Sequence, residues 1–460
     1  MLSDAEVACI HANVVRILAE VGMQIESSDL LTVLADFGLP VDLSRERVRF
    51  PEQTVERFLA EAEPYDWEAH RPWVSASAGV YHSTFQNPQT FELEPWTEEK
   101  LAFYFTLARL LPGVGSAVLL GSRLTTEPVL DALYERYYCW KLGAREGGSI
   151  NLNETCPYLH ELYEVRAAQL GSDIRDVFRA TVYLVPALRL GRNEAYQVQY
   201  FRERGLRVGI GDMYALGATA PVTIAGGVAL NIAEQLALGI LDWAWFGVKQ
   251  LRLGGSLSVM DLKTMIYPYG RPEMAVANMM TAQMARFYRA GFSGHAALSD
   301  AKTPTAESGF QKALTALPTL LACGGLAIDA GLLSIDEICS PIQLVFDAEF
   351  ASALSHIART YEVTDESIGF DTIAEAGPGG QYLDKDHTVA YMKTEHWEPT
   401  LWSREMVSSW AESGRTADVD RAREVVRRVR ATAGAEPPRL TDEEEREIMR
   451  VIAHAGRRQG

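Results

Sequence analysis

Val248-Lys249-Gln250-Leu251-Arg252-Leu253, the run PEMAVANMMTAQMARFYR at Pro272–Arg289, and Gly291-Phe292-Ser293-Gly294-His295 together decide the fold. The first and last are short apolar segments bounded by glycine, the signature of buried strands. The middle segment carries apolar residues at helical spacing and opens on proline, which suits a first helical turn. Strand, helix, strand is the unit of a parallel α/β sheet.

The unit recurs on both sides. Further strands are expected at Ser116–Leu120, Gly148–Asn153, Ala180–Val185, Arg207–Gly211, Gly325–Asp329 and, as the eighth, Asp371–Glu375. A second long helical pattern covers Val228–Trp245. The starts fall roughly 25–45 residues apart, the period of a β/α unit. Eight units predict a TIM (β/α)8 barrel over 96–415, with a doubly wound open sheet as the alternative. No G-x-G-x-x-G follows a strand, so a dinucleotide site is not supported.

Residues 1–95 read as an α/β cap. Val7, Ile10, Val14, Ile17 and Leu18 mark a helix over 4–22 behind Ser3 as N-cap, and a second helix covers roughly 28–37. Residues 66–95 have no helical period and suggest short strands or a hairpin, as in Val80-Tyr81-His82-Ser83-Thr84-Phe85. Residues 416–460 form a polar, Arg-rich helical tail, interrupted at Gly434–Pro438, that docks on the barrel exterior or on a neighbouring subunit. A homo-oligomer is therefore expected.

Composition bounds the function. The chain has 460 residues, 47% hydrophobic and 23% charged, enough for a large core. Its net charge of −18 makes nucleic acid and anionic membrane poor partners and suits cationic ligands. Five cysteines without a C-x-x-C point to a reducing, cytoplasmic setting, and no zinc-ligand spacing occurs, so no metal site is expected. The N-terminus carries Asp4 and Glu6, against a secretory signal. The uncharged stretch Met213–Ala233 holds Pro221, three glycines and Asn231, so it reads as a turn and a core helix and not as a lipid-facing span.

Three ordered stretches carry a family resemblance. The first is Gly217-Ala218-Thr219-Ala220-Pro221-Val222-Thr223-Ile224-Ala225-Gly226 with Asn231-Ile232-Ala233-Glu234. The second is Ser299-Asp300-Ala301-Lys302, with Gly331-Leu332-Leu333 and Ser340-Pro341-Ile342-Gln343-Leu344-Val345-Phe346-Asp347. The third is Glu375-Ala376-Gly377-Pro378-Gly379-Gly380 with Asp386-His387-Thr388, Trp397 and Trp410. In this order and spacing, over almost the whole chain, they resemble the trimethylamine methyltransferase superfamily. The resemblance implies a TIM barrel that moves a methyl group from a methylated amine to the cobalt of a corrinoid (cobalamin) on a separate partner protein. No pyrrolysine is present, which places the chain with the relatives that use quaternary amines such as glycine betaine. The D-x-H-x-x-G corrin motif is absent, since Asp386-His387 lacks the intervening residue. The isolated chain is thus expected to bind no corrinoid and to depend on a cognate corrinoid protein. The alternatives are direct methyl transfer to tetrahydrofolate, and a non-catalytic betaine-binding protein on the same scaffold.

The chemistry singles out residue types. A quaternary ammonium leaves as a neutral tertiary amine and needs no proton; the protein must desolvate and align it. Aromatic faces hold such a cation at about 0.5–2 kcal/mol each. Residues just after strand ends sit on the active face of a barrel. Tyr214, Tyr269 and Trp397 are the expected substrate cage, with Tyr267 and Trp402 as further candidates. His295 and His387 either meet the substrate carboxylate or corrinoid-facing rim, or are structural. Asp329 either balances the cation or caps the next helix; with His387 it makes the expected catalytic pair. Asp212, Ser256 and Asp300 are further rim candidates. Gly377, Gly379 and Gly380 either line the mouth where corrinoid approaches or form a tight turn. Trp243, Trp245 and Phe246 lie on a helical pattern and are expected in the core.

Overall fold

The computed structural model describes all residues except 82, 123, 126, 185–186, 433–438 and 458–460. The expected break at Gly434–Pro438 and the end of the expected strand at Val185 lie outside the described residues.

Eight parallel strands form one curled sheet: β1 (Trp73–Val80), β2 (Ala117–Leu119), β3 (Arg145–Glu146), β4 (Thr181–Leu184), β5 (Gly209–Leu216), β6 (Arg252–Val259), β7 (Gly291–Ala296) and β8 (Gly325–Ala330). A helix follows each: α1 (Glu98–Leu110), α2 (Pro128–Leu142), α3 (Cys156–Leu170), α4 (Arg192–Arg202), α5 (Ile224–Phe246), α6 (Pro272–Phe287), α7 (Ala306–Cys323) and α8 (Pro341–Ala358). The spatial order is β3-β2-β1-β8-β7-β6-β5-β4, the circular order of a barrel cut between β3 and β4. The expected closed barrel is therefore corrected to an open, curled sheet. The cause is local. β3 is two residues long and runs into Gly147-Gly148, leaving no edge long enough for a ladder. Across the gap the Thr181 amide donates to the Gly148 carbonyl at 2.8 Å.

Buried charge holds that seam. Glu135 and Arg136 of α2 pair at 3.0 Å with both side chains fully buried. Arg136 reaches the Ser149 carbonyl beyond β3 at 2.6 Å and the Arg179 carbonyl ahead of β4 at 2.9 Å. Glu135 accepts from the amides of Gly121 (2.7 Å) and Gly148 (2.9 Å) and from the Ser149 hydroxyl. The pair satisfies backbone groups that a longer ladder would otherwise satisfy. A second split opens between β5 and β6, which pair only from Met213–Ser256 onward. There α5 side chains replace the ladder: Asn231 donates to the Gly254 carbonyl, and Gln235 accepts from the Gly254 amide while donating to Asp212.

The eighth strand lies in an unexpected place. Asp371–Glu375 is helical, inside Phe370–Ala376, whereas Trp73–Val80 takes the position between β2 and β8. The sheet thus begins upstream of residue 96, within the segment expected to cap it. The β6 strand begins later than expected, because Gly254, Gly255, Ser256 and Ser258 look like a loop by composition yet pair with their neighbours. α5 is long and apolar enough to cross a membrane, but 67% of its apolar window is buried inside protein, as a core helix requires. Trp243 and Trp245 are 8% and 7% exposed, in the core as expected.

The N-terminal helix Asp4–Arg16 packs on α5, and strands Met23–Ile25, Val41–Asp42 and Arg47–Val48 make a small sheet with Arg189–Leu190. Loops following β1 and β8 pair as a second small sheet (84–86, 93–94, 332–333 and 338–339) at the strand C-terminal end. Helix Asp418–Thr432 packs on α1 and α8, and Asp442–Arg457 on α2 and α3. A buried Lys312–Asp347 pair, 2.9 Å apart, ties α7 to α8, and Asp347 also accepts from the Gly331 amide just after β8.

Candidate active site

Small residues on the inner face of the sheet leave its C-terminal end hollow. Gly147, Gly255, Ser293, Gly294 and Ala327 contribute little volume, and a cavity of about 500 Å³ remains. Its polar wall is acidic, formed by Asp212, Asp329 and Asp336; its aromatic wall is Tyr81, Tyr183 and Tyr269. His295, Ser256, Met213, Val118 and Leu120 also line it, and no Lys or Arg is among its described lining residues.

Asp329, near the end of β8, is the hub. It accepts from the Tyr81 hydroxyl at 2.7 Å, and its second oxygen lies 3.2 Å from His295 Nε2. His295 Nδ1 is 3.2 Å from Ser256 Oγ, which is 2.9 Å from the Tyr267 hydroxyl. Giving Nε2–H to the carboxylate leaves Nδ1 as an acceptor, which Ser256 satisfies. Burial pushes Asp329 up, but the His295 contact and the Tyr81 hydroxyl outweigh it and hold the carboxyl below its ordinary value. Burial and the Asp329 charge push the Tyr81 phenol well up, so it stays a donor.

Tyr269 lies on the loop between β6 and α6. Its ring stands edge-on to His295 at 5.2 Å and to Tyr267 at 5.4 Å. Asp300 fixes that loop by accepting from the amides of Tyr269 (2.8 Å) and Gly270 (3.2 Å). Asp300 thus acts on the cavity by positioning Tyr269.

The structure brings Asp329, His295 and Tyr269 together with the rim candidates Asp212 and Ser256, sets Tyr267 against Ser256, and leaves Tyr214, Trp397, His387 and the Gly377–Gly380 turn elsewhere. Tyr214 is 1% exposed, on the opposite face of β5 from Met213, with its hydroxyl buried beside Glu234. Strand alternation explains this, since neighbouring residues face opposite sides. Trp397 donates to Ser352 on α8 at 3.1 Å and stacks edge-on with Trp402, outside the cavity lining. His387 sits on helix Asp386–Glu395 against Tyr391. Gly377 and Gly379 adopt φ of 64° and 80°, and the Gly380 amide closes a turn on the Gly377 carbonyl at 3.0 Å. Neither His387 nor this turn lines the cavity. Tyr81, Tyr183 and Asp336 were not singled out from the sequence. Tyr81 directly follows β1, whereas the sequence pattern places it inside a strand-like segment, Val80–Phe85, of the expected cap.

Asp212 sits in the split between β5 and β6, where burial pushes its carboxyl up to about 6. A cation in the cavity prefers the ionised form. Binding of a quaternary ammonium, followed by calorimetry, should therefore strengthen as pH rises from about 5 to about 7, and Asp212→Asn should flatten that dependence. Without ligand the sign reverses. A raised folded value makes this group's stability contribution full below its unfolded value of about 3.9 and lost as pH climbs through about 6.

The family model described as trimethylamine methyltransferase (MTTB) matches residues 179–459. A glycine betaine methyltransferase of Desulfitobacterium hafniense is 26% identical, over 100% of this chain and 98% of its own length. The trimethylamine methyltransferase MttB of the same species is 24% identical over 92% of this chain and 87% of its own. A monomethylamine methyltransferase structure from Methanosarcina barkeri covers 94% of this chain and 88% of its own at 10% identity, with a TM-score of 0.48. The matched segment spans β4 through the last helix, well over half of the protein, and the chain belongs to the trimethylamine methyltransferase (MTTB) family of methyltransferases.

Proposed function

We propose that this protein takes a methyl group from a quaternary amine of the betaine type and passes it to the cobalt of a corrinoid carried by a partner protein. The observation that carries the amine is the cavity wall: three carboxylates and three tyrosines, with no lysine or arginine among the described lining residues. Full-length similarity to a glycine betaine methyltransferase supports the same substrate class. The permanent charge of a quaternary nitrogen suits this surround, since it needs aromatic faces and nearby anions but no hydrogen-bond acceptor.

The chain's residues bind and orient. Asp329 and Asp212 balance the positive charge, and Tyr81, Tyr183 and Tyr269 replace its water shell. The C–N bond breaks with both electrons staying on nitrogen, and the acceptor supplies the pair for the new bond to carbon. No proton moves, so the His295–Ser256–Tyr267 chain serves to hold Asp329 in place. A corrin with its side chains is larger than a cavity of about 500 Å³, so the acceptor meets the methyl group from the strand C-terminal mouth. Access from that side is the role left for the partner.

The test is a panel of betaines and methylamines, incubated with corrinoid protein in its reduced state or with tetrahydrofolate, and read as demethylated amine by mass spectrometry. Methyl loss from a betaine only with the corrinoid protein supports the reading; transfer to tetrahydrofolate replaces the acceptor. Binding without turnover by either acceptor favours the non-catalytic alternative. Tyr269→Ala should weaken glycine betaine binding by about 1–2 kcal/mol, roughly five- to thirtyfold. Trp397→Ala, outside the cavity, should bind like the parent. The reverse pattern would move the cage to Trp397.

A further inference from the structure

The opposite pole, where the strands begin, has the contrary chemistry. Arg175, Arg179 and Arg207 line a cavity of about 480 Å³ at the seam between β3 and β4. Its wall includes Gly147, Gly148, Gly205 and Gly209, so backbone and guanidinium groups face the space with few side chains in the way. Arg207 also lines an adjoining cavity of about 580 Å³ together with Arg252.

Pairing leaves part of this charge unspent. Arg175 pairs with Asp173 at 2.7 Å, and Arg207 pairs with Asp242. Arg179 donates only to the Phe178 carbonyl at 2.7 Å, and neither Arg179 nor Arg252 has a carboxylate within 4.0 Å among the described residues. The acidic groups that face the two cavities are Glu146, Asp212 and Asp242. Glu146 already accepts from the Trp140 indole at 2.6 Å, and Asp212 from Gln235 at 3.0 Å. In a chain of net charge −18, two arginines without an acidic partner at one pole are a specific arrangement. Arg179 is also held in place from behind. Its carbonyl accepts from Arg136 and from the Tyr163 hydroxyl, both at 2.9 Å, while its side chain remains exposed.

We propose that this seam pocket binds a multiply charged oxyanion, a phosphate- or carboxylate-bearing small molecule, through Arg179, with Arg207, bridged to Asp242, beside it. The planar fork of a guanidinium matches two oxygens of such a group, and a fixed backbone lowers the ordering cost. The site is separate from the amine cavity, although Gly147 borders both. Because Arg179 leads into β4 and Gly147 follows β3, a bound anion touches both edges of the open sheet. Binding should therefore raise the temperature of unfolding.

Inorganic pyrophosphate is the probe, titrated by calorimetry and thermal unfolding at constant ionic strength set with potassium chloride. Saturable binding with a rise in melting temperature beyond that of chloride is expected. Arg179→Gln should weaken it about tenfold or more. This variant keeps the main-chain carbonyl that Arg136 uses, so its folding and its glycine betaine binding should match the parent. Arg252→Gln, which lines only the adjoining cavity, should weaken it less, and Arg404→Gln, distant from the pocket, not at all. Citrate forms the second arm: tighter pyrophosphate assigns phosphate, and equal or tighter citrate assigns a polycarboxylate. A pyrophosphate response no larger than that of chloride, or an Arg179→Gln response equal to the parent's, overturns the site.

Discussion

Asp329→Asn is expected to weaken glycine betaine binding about ten- to a hundredfold and to lower methyl transfer at least as much. The substitution keeps shape and removes charge at the point where Tyr81, His295 and the cavity meet. Asp329 is held ionised by its neighbours, whereas Asp212 is pushed up to about 6 by burial. Near neutrality Asp329 thus provides the firmer negative charge for a cation. The amide also disturbs the His295 contact, since its NH2 group cannot accept Nε2–H. Calorimetry with glycine betaine and product analysis would show the effect, with melting curves to confirm that the variant is folded. A folded Asp329→Asn protein that binds and turns over like the parent would sink the assignment of the cavity.

Arg136→Met is expected to destabilise the fold by about 3–5 kcal/mol. It strands Glu135 as a buried charge and leaves the carbonyls of Ser149 and Arg179 without their guanidinium donor on the two sides of the seam. Breaking one member of a buried pair costs more than removing both, because the survivor keeps its desolvation penalty. The double variant Glu135→Gln with Arg136→Met should therefore recover part of the loss. Urea unfolding of the three proteins measures this. A single variant as stable as the parent would mean that the seam does not depend on the pair.

How far sequence reasoning reached differs between elements. β7 and β8 show as short apolar runs between helical patterns, and both lie where the sequence places them. β6 is displaced because its inward positions are glycine and serine, the composition that keeps the cavity hollow. β1 escapes the sequence pattern because WVSASAGV lies in a segment, 66–95, that reads only as short strands or a hairpin of the cap; its pairing with β2 and β8 makes it central. Asp329, His295, Tyr269, Asp212 and Ser256, which the sequence places at or after strand ends, all line the cavity. The same placement failed for Tyr214, because one residue of register turns a side chain from the cavity to the helix layer.

Local pattern and composition alone determined the alternation of strands and helices, the acidic character and five of the residues that line the cavity. Each depends on neighbours in the chain or on totals over it. The tertiary structure decided which strand completes the sheet, that the sheet stays open between β3 and β4, and that Tyr81, Tyr183 and Asp336 join the cavity while Trp397 and His387 do not. These outcomes rest on contacts between residues far apart in sequence, such as Tyr81 with Asp329. No periodicity within either segment records such a contact; it exists only once β1 and β8 lie side by side.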